Sequence, residues 1–353
     1  MTNHVIQIVR QFGPVGGMER YAWELIRQLP AAGWKVTVLC ERLHADAIPE
    51  GIQIIELGEV REKPRWLAHL RFSKRIARWL HENPQPGAII HSHERTGVHH
   101  ITTFHGPPFA KIRNKNWLWW LSPRIMAQLW LEKREVCGAQ VKAVVPNAAV
   151  IAEMLKDYYP SIGGRMAAPI VPGVGGIAPR PARAIPADGG VIGFVGKEWK
   201  RKGLDIAIRI FSELKQSRPQ AKLVIAGANP QAIAPLLRNA PDGIETLGAV
   251  PTFDLFAQFD LLLHPARAEP FGMVITEALS AGVPVVISEQ CGAVSEVSEH
   301  HGSILSLQAP QQQWAVACDK WLTRSEEIPL YEHGWDAVAH AYHSLYNSLQ
   351  ASG

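Results

Sequence analysis

Two glutamates bracket a glycine in Glu269-Pro270-Phe271-Gly272-Met273-Val274-Ile275-Thr276-Glu277, and a basic run, Lys197-Glu198-Trp199-Lys200-Arg201-Lys202, lies well upstream. The basic run follows an apolar strand pattern, Val191 to Val195, and leads into a helical pattern starting near Leu204. Parallel sheets bind ligands just beyond the carboxyl ends of their strands. Cations crowded there repel one another unless solvated or paired with an anion. A diphosphate would satisfy them at about 1.5–3 kcal/mol per charge-assisted hydrogen bond, and a solvated basic turn fits the same residues. A second strand pattern ends at His264, and the spacing predicts a helix beginning at Gly272. The backbone N–H groups of Gly272 and Met273 can then face a phosphate with the helix dipole behind them. Glu277, one turn inside that helix, can reach vicinal ribose hydroxyls, while Glu269 in the loop lies nearer a sugar. An acid favouring the first helical turn accounts for Glu277 alone, but not for the whole string.

The amino-terminal half holds three further groups. Gly13-Pro14-Val15-Gly16-Gly17-Met18 joins a strand pattern to a helix pattern, where Gly16 and Gly17 allow close backbone approach; any tight βα turn also favours glycine. His91, His93, His99, His100 and His105 are clustered, and His91 with His93 on a strand would share a face. Zinc is one reading of that cluster, with a metal-dependent hydrolase as its consequence. No carboxylate motif completes a site, so the expectation is no metal and no cofactor, with the histidines as polar core or loop residues. Between Lys111 and Glu135, Trp117, Trp119, Trp120 and Trp130 are interspersed with Arg124 and other cations. Tryptophans beside cations suit a membrane interface or an acceptor surface, and a helix with core-facing tryptophans fits too. Five consecutive apolar residues, Trp117 to Leu121, exceed one helix face, which favours the surface reading.

The elements that would position these groups alternate. Val5–Val9, Lys35–Leu39, Ile52–Leu57, Ala88–Ile90, Ile101–Phe104 and Ala143–Val145 read as strands, and Met18–Leu29, Trp66–Leu80 and Asn147–Tyr158 as helices. After a Pro-, Gly- and Ala-rich stretch from Pro169 to Gly190, read as a linker, the rhythm restarts. Val191–Val195, Lys222–Ala226, Ile244–Leu247, Leu261–His264, Val285–Ser288 and Ile304–Leu307 are the second set of strands. The fold class is therefore α/β with two Rossmann-like doubly wound domains, over 1–172 and 173–330. Residues 331–353 form a helical tail packing back toward the first domain. With 353 residues and 47% hydrophobic content the chain can bury two cores. Lys and Arg outnumber Asp and Glu by only 36 to 32, which gives no argument for nucleic acid. Four scattered cysteines without a C-x-x-C pair argue against a disulfide framework or structural zinc. No segment approaches the roughly 20 apolar residues of a spanning helix, and the start lacks a signal-peptide pattern, so a cytoplasmic location is expected.

E-P-F-G-M-V-I-T-E-A-L-S-A-G-V-P-V-V closely resembles the E-x7-E signature of retaining GT-B glycosyltransferases, and G-K-E-W-K-R-K-G resembles their basic loop. The resemblance implies a nucleotide-sugar donor whose diphosphate is held by Arg201 and Lys202, whose sugar meets Glu269, and whose ribose meets Glu277. Gly272, Met273, Gly16 and Gly17 would add phosphate contacts across a cleft between the two domains. Lys197 stands where many members carry Arg and is a further candidate for the diphosphate. Thr102-Thr103-Phe104-His105-Gly106 is similar to the family's strand-end H-G, which places His105 near the reacting centre. The order of V-G-G-M-E-R, W-L-S-P-R, V-P-G-V, R-K-G-L-D and D-L-L-L-H-P-A looks like bacterial lipopolysaccharide-core glucosyltransferases over most of the chain. That likeness implies transfer of a hexosyl group, with UDP-glucose or a related UDP-sugar as donor, to a lipid-linked or oligosaccharide acceptor. It also implies peripheral binding at the anionic cytoplasmic face of the inner membrane and no metal requirement. A sugar-nucleotide epimerase of the same double-Rossmann plan is the nearest alternative.

Overall fold

The computed structural model describes residues 3–114, 122–251 and 253–351 and divides into two compact units, 1–173 with 334–353, and 174–333. The first unit is built on a six-stranded sheet in the order β5-β3-β1-β6-β7-β8. Its strands are β1 (His4–Ile8), β3 (Lys35–Cys40), β5 (Ile52–Glu56), β6 (Ile89–Ser92), β7 (Ile101–Phe104) and β8 (Ala143–Pro146). Two short strands, β2 (Gln11–Phe12) and β4 (Arg42–Leu43), pair separately beyond the ends of β1 and β3. The helices are α1 (Gly17–Gln28), α2 (Arg65–Glu82), α3 (Pro123–Cys137), α4 (Ala149–Tyr158) and, from the carboxyl terminus, α10 (Trp335–Ala351). All sheet pairings are parallel. Strands covered on both faces by helices are buried at every position, as β1 and β7 are, so their polar members Gln7, Thr102 and Thr103 find hydrogen-bond partners inside the protein.

The second unit repeats the plan. Its sheet runs β11-β10-β9-β12-β13-β14, again parallel. The strands are β9 (Val191–Val195), β10 (Lys222–Ala226), β11 (Ile244–Gly248), β12 (Leu261–His264), β13 (Val285–Ser288) and β14 (Gly302–Leu305). Helices α5 (Trp199–Lys202), α6 (Leu204–Ser217), α7 (Pro230–Leu237), α8 (Met273–Ser280) and α9 (Gln311–Thr323) complete it. Its core joins Phe194, Leu204, Phe211, Leu223, Leu261, Trp314 and Trp321. Gly193 in β9 lies under the Phe259 ring, in the space a Cβ would need.

Both sheets reverse direction beside their first strand, between β1 and β6 and between β9 and β12. Such switch points open a crevice at the strand carboxyl ends. The glycine-rich loop and His93 follow β1 and β6; the basic run and Glu269 follow β9 and β12.

Two findings differ from the sequence reading. The stretch read as a linker is fastened to the second unit from Val174 onward. Arg180 and Arg183 donate to Asp260 Oδ1 at 2.6 and 3.0 Å, Asp260 Oδ2 accepts the Val191 N–H at 2.8 Å, and Arg218 donates to Gly189 O at 2.9 Å. Prolines keep this stretch out of the sheet ladder, but arginines still dock it by side chain. In addition, the basic run itself forms the short helix α5, and the left-handed Gly203 (φ 78°) separates it from α6, where a basic turn leading into one helix was expected. Asp260→Ala would leave two guanidinium groups facing a site only 4% exposed. It should destabilise the second unit by about 3 kcal/mol, measured as a lowered urea midpoint of that unit's transition.

Candidate active site

In the second unit the cations and one of the two glutamates converge. Glu269 Oε2 lies 2.7 Å from Lys202 Nζ, and Glu269 Oε1 lies 3.2 Å from Arg201 Nη1. His264, the last residue of β12, places Nε2 at 3.4 Å from Glu269 Oε2. Arg201 also donates to Glu198 Oε2 at 2.6 Å and to Ala268 O at 2.6 Å. Lys202 reaches Glu269 by crossing Gly196, where its methylenes fill the space of a side chain. Gly203 tucks α5 against Pro265 O in the same way. The loop carrying Glu269 is held like a short extra strand: Glu269 N–H donates to Gln290 O (3.0 Å), and Gly292 and Ala293 donate to Glu269 O (2.9 Å) and Phe271 O (2.8 Å). A side chain at Gly292 would overlap Pro270 O, which explains the Cys291-Gly292-Ala293 turn.

Gly272 (φ 101°) caps α8 from the left-handed region and supplies no side chain to its first N–H groups. Gly272 and Met273 therefore present backbone donors beside Glu269, whose Cγ lies 3.0 Å from where a Gly272 Cβ would stand. Glu277 lies one turn into α8 and is buried. Lys197 is exposed. Burial opposes ionisation of Glu269, but the hydrogen bond from His264 and the charges of Lys202 and Arg201 outweigh it and hold the carboxyl far below its usual range. Burial, and then Lys202, lowers the pKa of His264 from its ordinary value, against the opposing pull of Glu269. Neither His264 nor Arg267, which pins the loop to Asp205 at 2.6 Å, was singled out from sequence.

The first unit collects the histidines into a polar core. His91 bonds Tyr346 Oη and Thr103 Oγ1, both at 2.7 Å; Thr103 bonds Tyr342 Oη (2.6 Å), which meets Tyr21 Oη (3.0 Å). These tyrosines bring α10 onto the face that His91 and His93 share, and they were not foreseen. Gln7 donates Nε2–H to Tyr346 and turns Oε1 to His93 Nε2 at 3.2 Å, so the His93 proton is on Nε2. Burial, then its histidine neighbours, keeps His93 neutral, so its Nδ1 accepts from His105 Nε2–H at 3.0 Å. His105, lowered to about 3 by burial, is thereby fixed with a free lone pair on Nδ1. Among the described residues no three His, Cys, Asp or Glu side chains are grouped to hold a metal ion. Gly16 caps α1 and Gly17 opens it, with free space where a Gly17 side chain would stand. His105 lines a cavity of about 600 Å³. Trp117, Trp119 and Trp120 lie outside the described residues; Arg124 is exposed on α3.

Residues 189–324 match the family described as Glycosyl transferases group 1, and residues 15–167 match Glycosyltransferase Family 4. Both parts of the chain thus match glycosyltransferase domain families, and the fold is that of the GT-B glycosyltransferases. It is 26% identical over 361 residues to a D-inositol 3-phosphate glycosyltransferase of Stackebrandtia nassauensis, covering 88% of this chain and 80% of that one. It is 31% identical over 137 residues to the lipopolysaccharide glucosyltransferase WaaG of Escherichia coli, covering 37% of each. A crystal structure of WaaG superposes with a TM-score of 0.75 at 18% identity, over 99% of this chain and 95% of the other. Anabaena Alr3699/HepE in complex with UDP-glucose gives 0.64 at 16%, over 99% and 98%. This family membership favours transfer over epimerisation.

Two outcomes test the geometry. Glu269 has a depressed folded pKa, so its contribution to stability is complete above the ordinary 4.5 and is lost as pH falls below it. Glu269→Gln should flatten that acid limb in urea titrations between pH 6 and about 3; an unchanged limb would contradict the pairing. Nitrogen-15 shifts should report His105 as the Nε2–H tautomer, and His93→Ala should release that fixed state.

Proposed function

We propose that the protein is a retaining glycosyltransferase that moves a hexosyl group from a UDP-sugar, UDP-glucose or a close relative, to a saccharide acceptor in cell-envelope glycan assembly of the lipopolysaccharide-core type. The observation carrying this reading is the ionised Glu269 set against Lys202 and Arg201 directly before the side-chain-free cap of α8. WaaG and the UDP-glucose complex of HepE support the donor and the acceptor class.

Departure of the nucleoside diphosphate leaves negative charge on its terminal phosphate. Lys202, Arg201 and the N–H groups of Gly272 and Met273 stabilise that charge, the usual source of the largest catalytic gain. Glu269, fixed as a carboxylate, orients the sugar and favours positive charge developing at its anomeric carbon. Glu277 binds the ribose. Lys197 is a further phosphate contact, and in the first unit His105 offers Nδ1 as an acceptor to a sugar hydroxyl. The acceptor hydroxyl attacks from the face the phosphate leaves, and a phosphate oxygen takes its proton, so configuration is retained without a protein nucleophile. Two cations and a helix terminus make a divalent ion unnecessary for this leaving group.

Peripheral attachment to the cytoplasmic face of an anionic membrane belongs to the same proposal. On α3, Met126 (60% exposed), Trp130 (53% exposed) and the exposed Lys133 follow one another at helical spacing, an apolar and basic stripe that suits a lipid surface. No helix among the described residues is long and apolar enough to cross a membrane.

Lys202→Ala should lower kcat/KM for the UDP-sugar by about 10²-fold. The wild-type product, formed in EDTA, should keep the donor's anomeric configuration by proton NMR. Turnover intact in Lys202→Ala, or an inverted product, would refute the assignment. Thermal-shift titration with UDP, GDP and ADP should stabilise the protein most with UDP.

A further inference from the structure

Within the second unit, a carboxylate of the basic run already holds the edge of Arg201 that a diphosphate would use. A guanidinium offers its N–H donors in a rigid, planar fork. On Arg201 the Nη1 corner is taken up by the loop, donating to Ala268 O at 2.6 Å and facing Glu269 Oε1 at 3.2 Å. The edge formed by Nε and Nη2 has the geometry for two-point recognition of a further anion. Glu198 Oε2 closes that edge, at 3.0 Å from Nε and 2.6 Å from Nη2.

The two carboxylates on Arg201 are held very differently. Glu269 is 8% exposed, and its backbone is fixed on both sides, its N–H donating to Gln290 O at 3.0 Å and its carbonyl accepting from Gly292 at 2.9 Å. The Glu198 side chain is 68% exposed and bonds no side chain but Arg201 among the described residues. It precedes α5 without capping it; the backbone closes that turn, with Glu198 O accepting the Lys202 N–H at 3.0 Å. The carboxylate can therefore swing away while α5 stays wound. Separating an exposed ion pair costs little, whereas stripping a partner from a buried carboxylate costs much. When an anion reaches Arg201, Glu198 is the partner that yields and Glu269 the one that stays.

We propose that Glu198 is a displaceable stand-in for the diphosphate. It holds the Arg201 guanidinium in the empty site, gives up the Nε and Nη2 edge to the incoming nucleotide, and returns to it afterwards, which weakens nucleotide binding and hastens release of the nucleoside diphosphate. The inference rests on the donor-binding reading of Arg201 and adds to it a residue that sets how tightly the diphosphate is held.

Calorimetric titration of the full chain with UDP, and with uridine as a competitor, tests it. Glu198→Gln keeps the size of the side chain and removes its charge. It should tighten UDP binding about two- to fivefold, the equilibrium equivalent of an exposed ion pair no longer competing. The affinity for uridine, which lacks phosphate, should be unchanged, and this also shows that the variant is folded. The UDP dissociation rate, followed by stopped flow, should fall by a similar factor. In an Arg201→Ala background the same substitution should leave UDP affinity as it is, because the competition acts through the guanidinium. UDP affinity in Glu198→Gln equal to or weaker than wild type, a gain shared by uridine, or a gain that survives in Arg201→Ala would overturn the proposal. If the wild-type chain binds no UDP, the donor reading fails; inorganic pyrophosphate then takes its place in the same comparison, and no gain for pyrophosphate in Glu198→Gln would overturn this inference too.

Discussion

A lysine, an arginine and a histidine converge on one carboxylate, Glu269, and the local architecture of the second unit is arranged to let them do so. A buried carboxylate is tolerated only when its charge is compensated at short range. That requirement explains features that look unrelated in sequence. Gly196 has no side chain because Lys202 must pass over it, and Gly203 bends left-handed because α5 must sit against Pro265. Gly292 is bare because the Glu269 loop lies on it. Arg267, tied to Asp205, fixes the same loop from the other side. The site is thus held by packing as well as by the ion pairs.

The two units solve the same topological problem with different cores. In the second, the layers around the sheet are apolar and fix the strands by packing. In the first, the region beneath α10 is a chain of hydrogen bonds from Gln7 through Tyr346, His91, Thr103 and Tyr342 to Tyr21. Polar networks of this kind are directional: each proton position constrains the next. A consequence is that His105, at the open end of one branch, inherits its tautomer from Gln7 two bonds away.

Much of this was legible in sequence because parallel strands covered on both faces are short runs rich in apolar and β-branched residues. Ile101–Phe104, Val191–Val195, Lys222–Ala226, Leu261–His264 and Val285–Ser288 have the bounds the pattern predicts. Where the rule weakens, so does the reading. β6 extends through His91 and Ser92, two residues beyond its apolar start, because tyrosines from α10 solvate the imidazole from within the protein. The Pro-rich stretch after Val174 reads as a linker because docking by Arg180 and Arg183 onto Asp260 joins residues about 80 apart, a separation no local pattern encodes. At the site, Glu269, Lys202 and Arg201 were visible as a motif, whereas His264 looked only like a strand end and Arg267 like another loop cation.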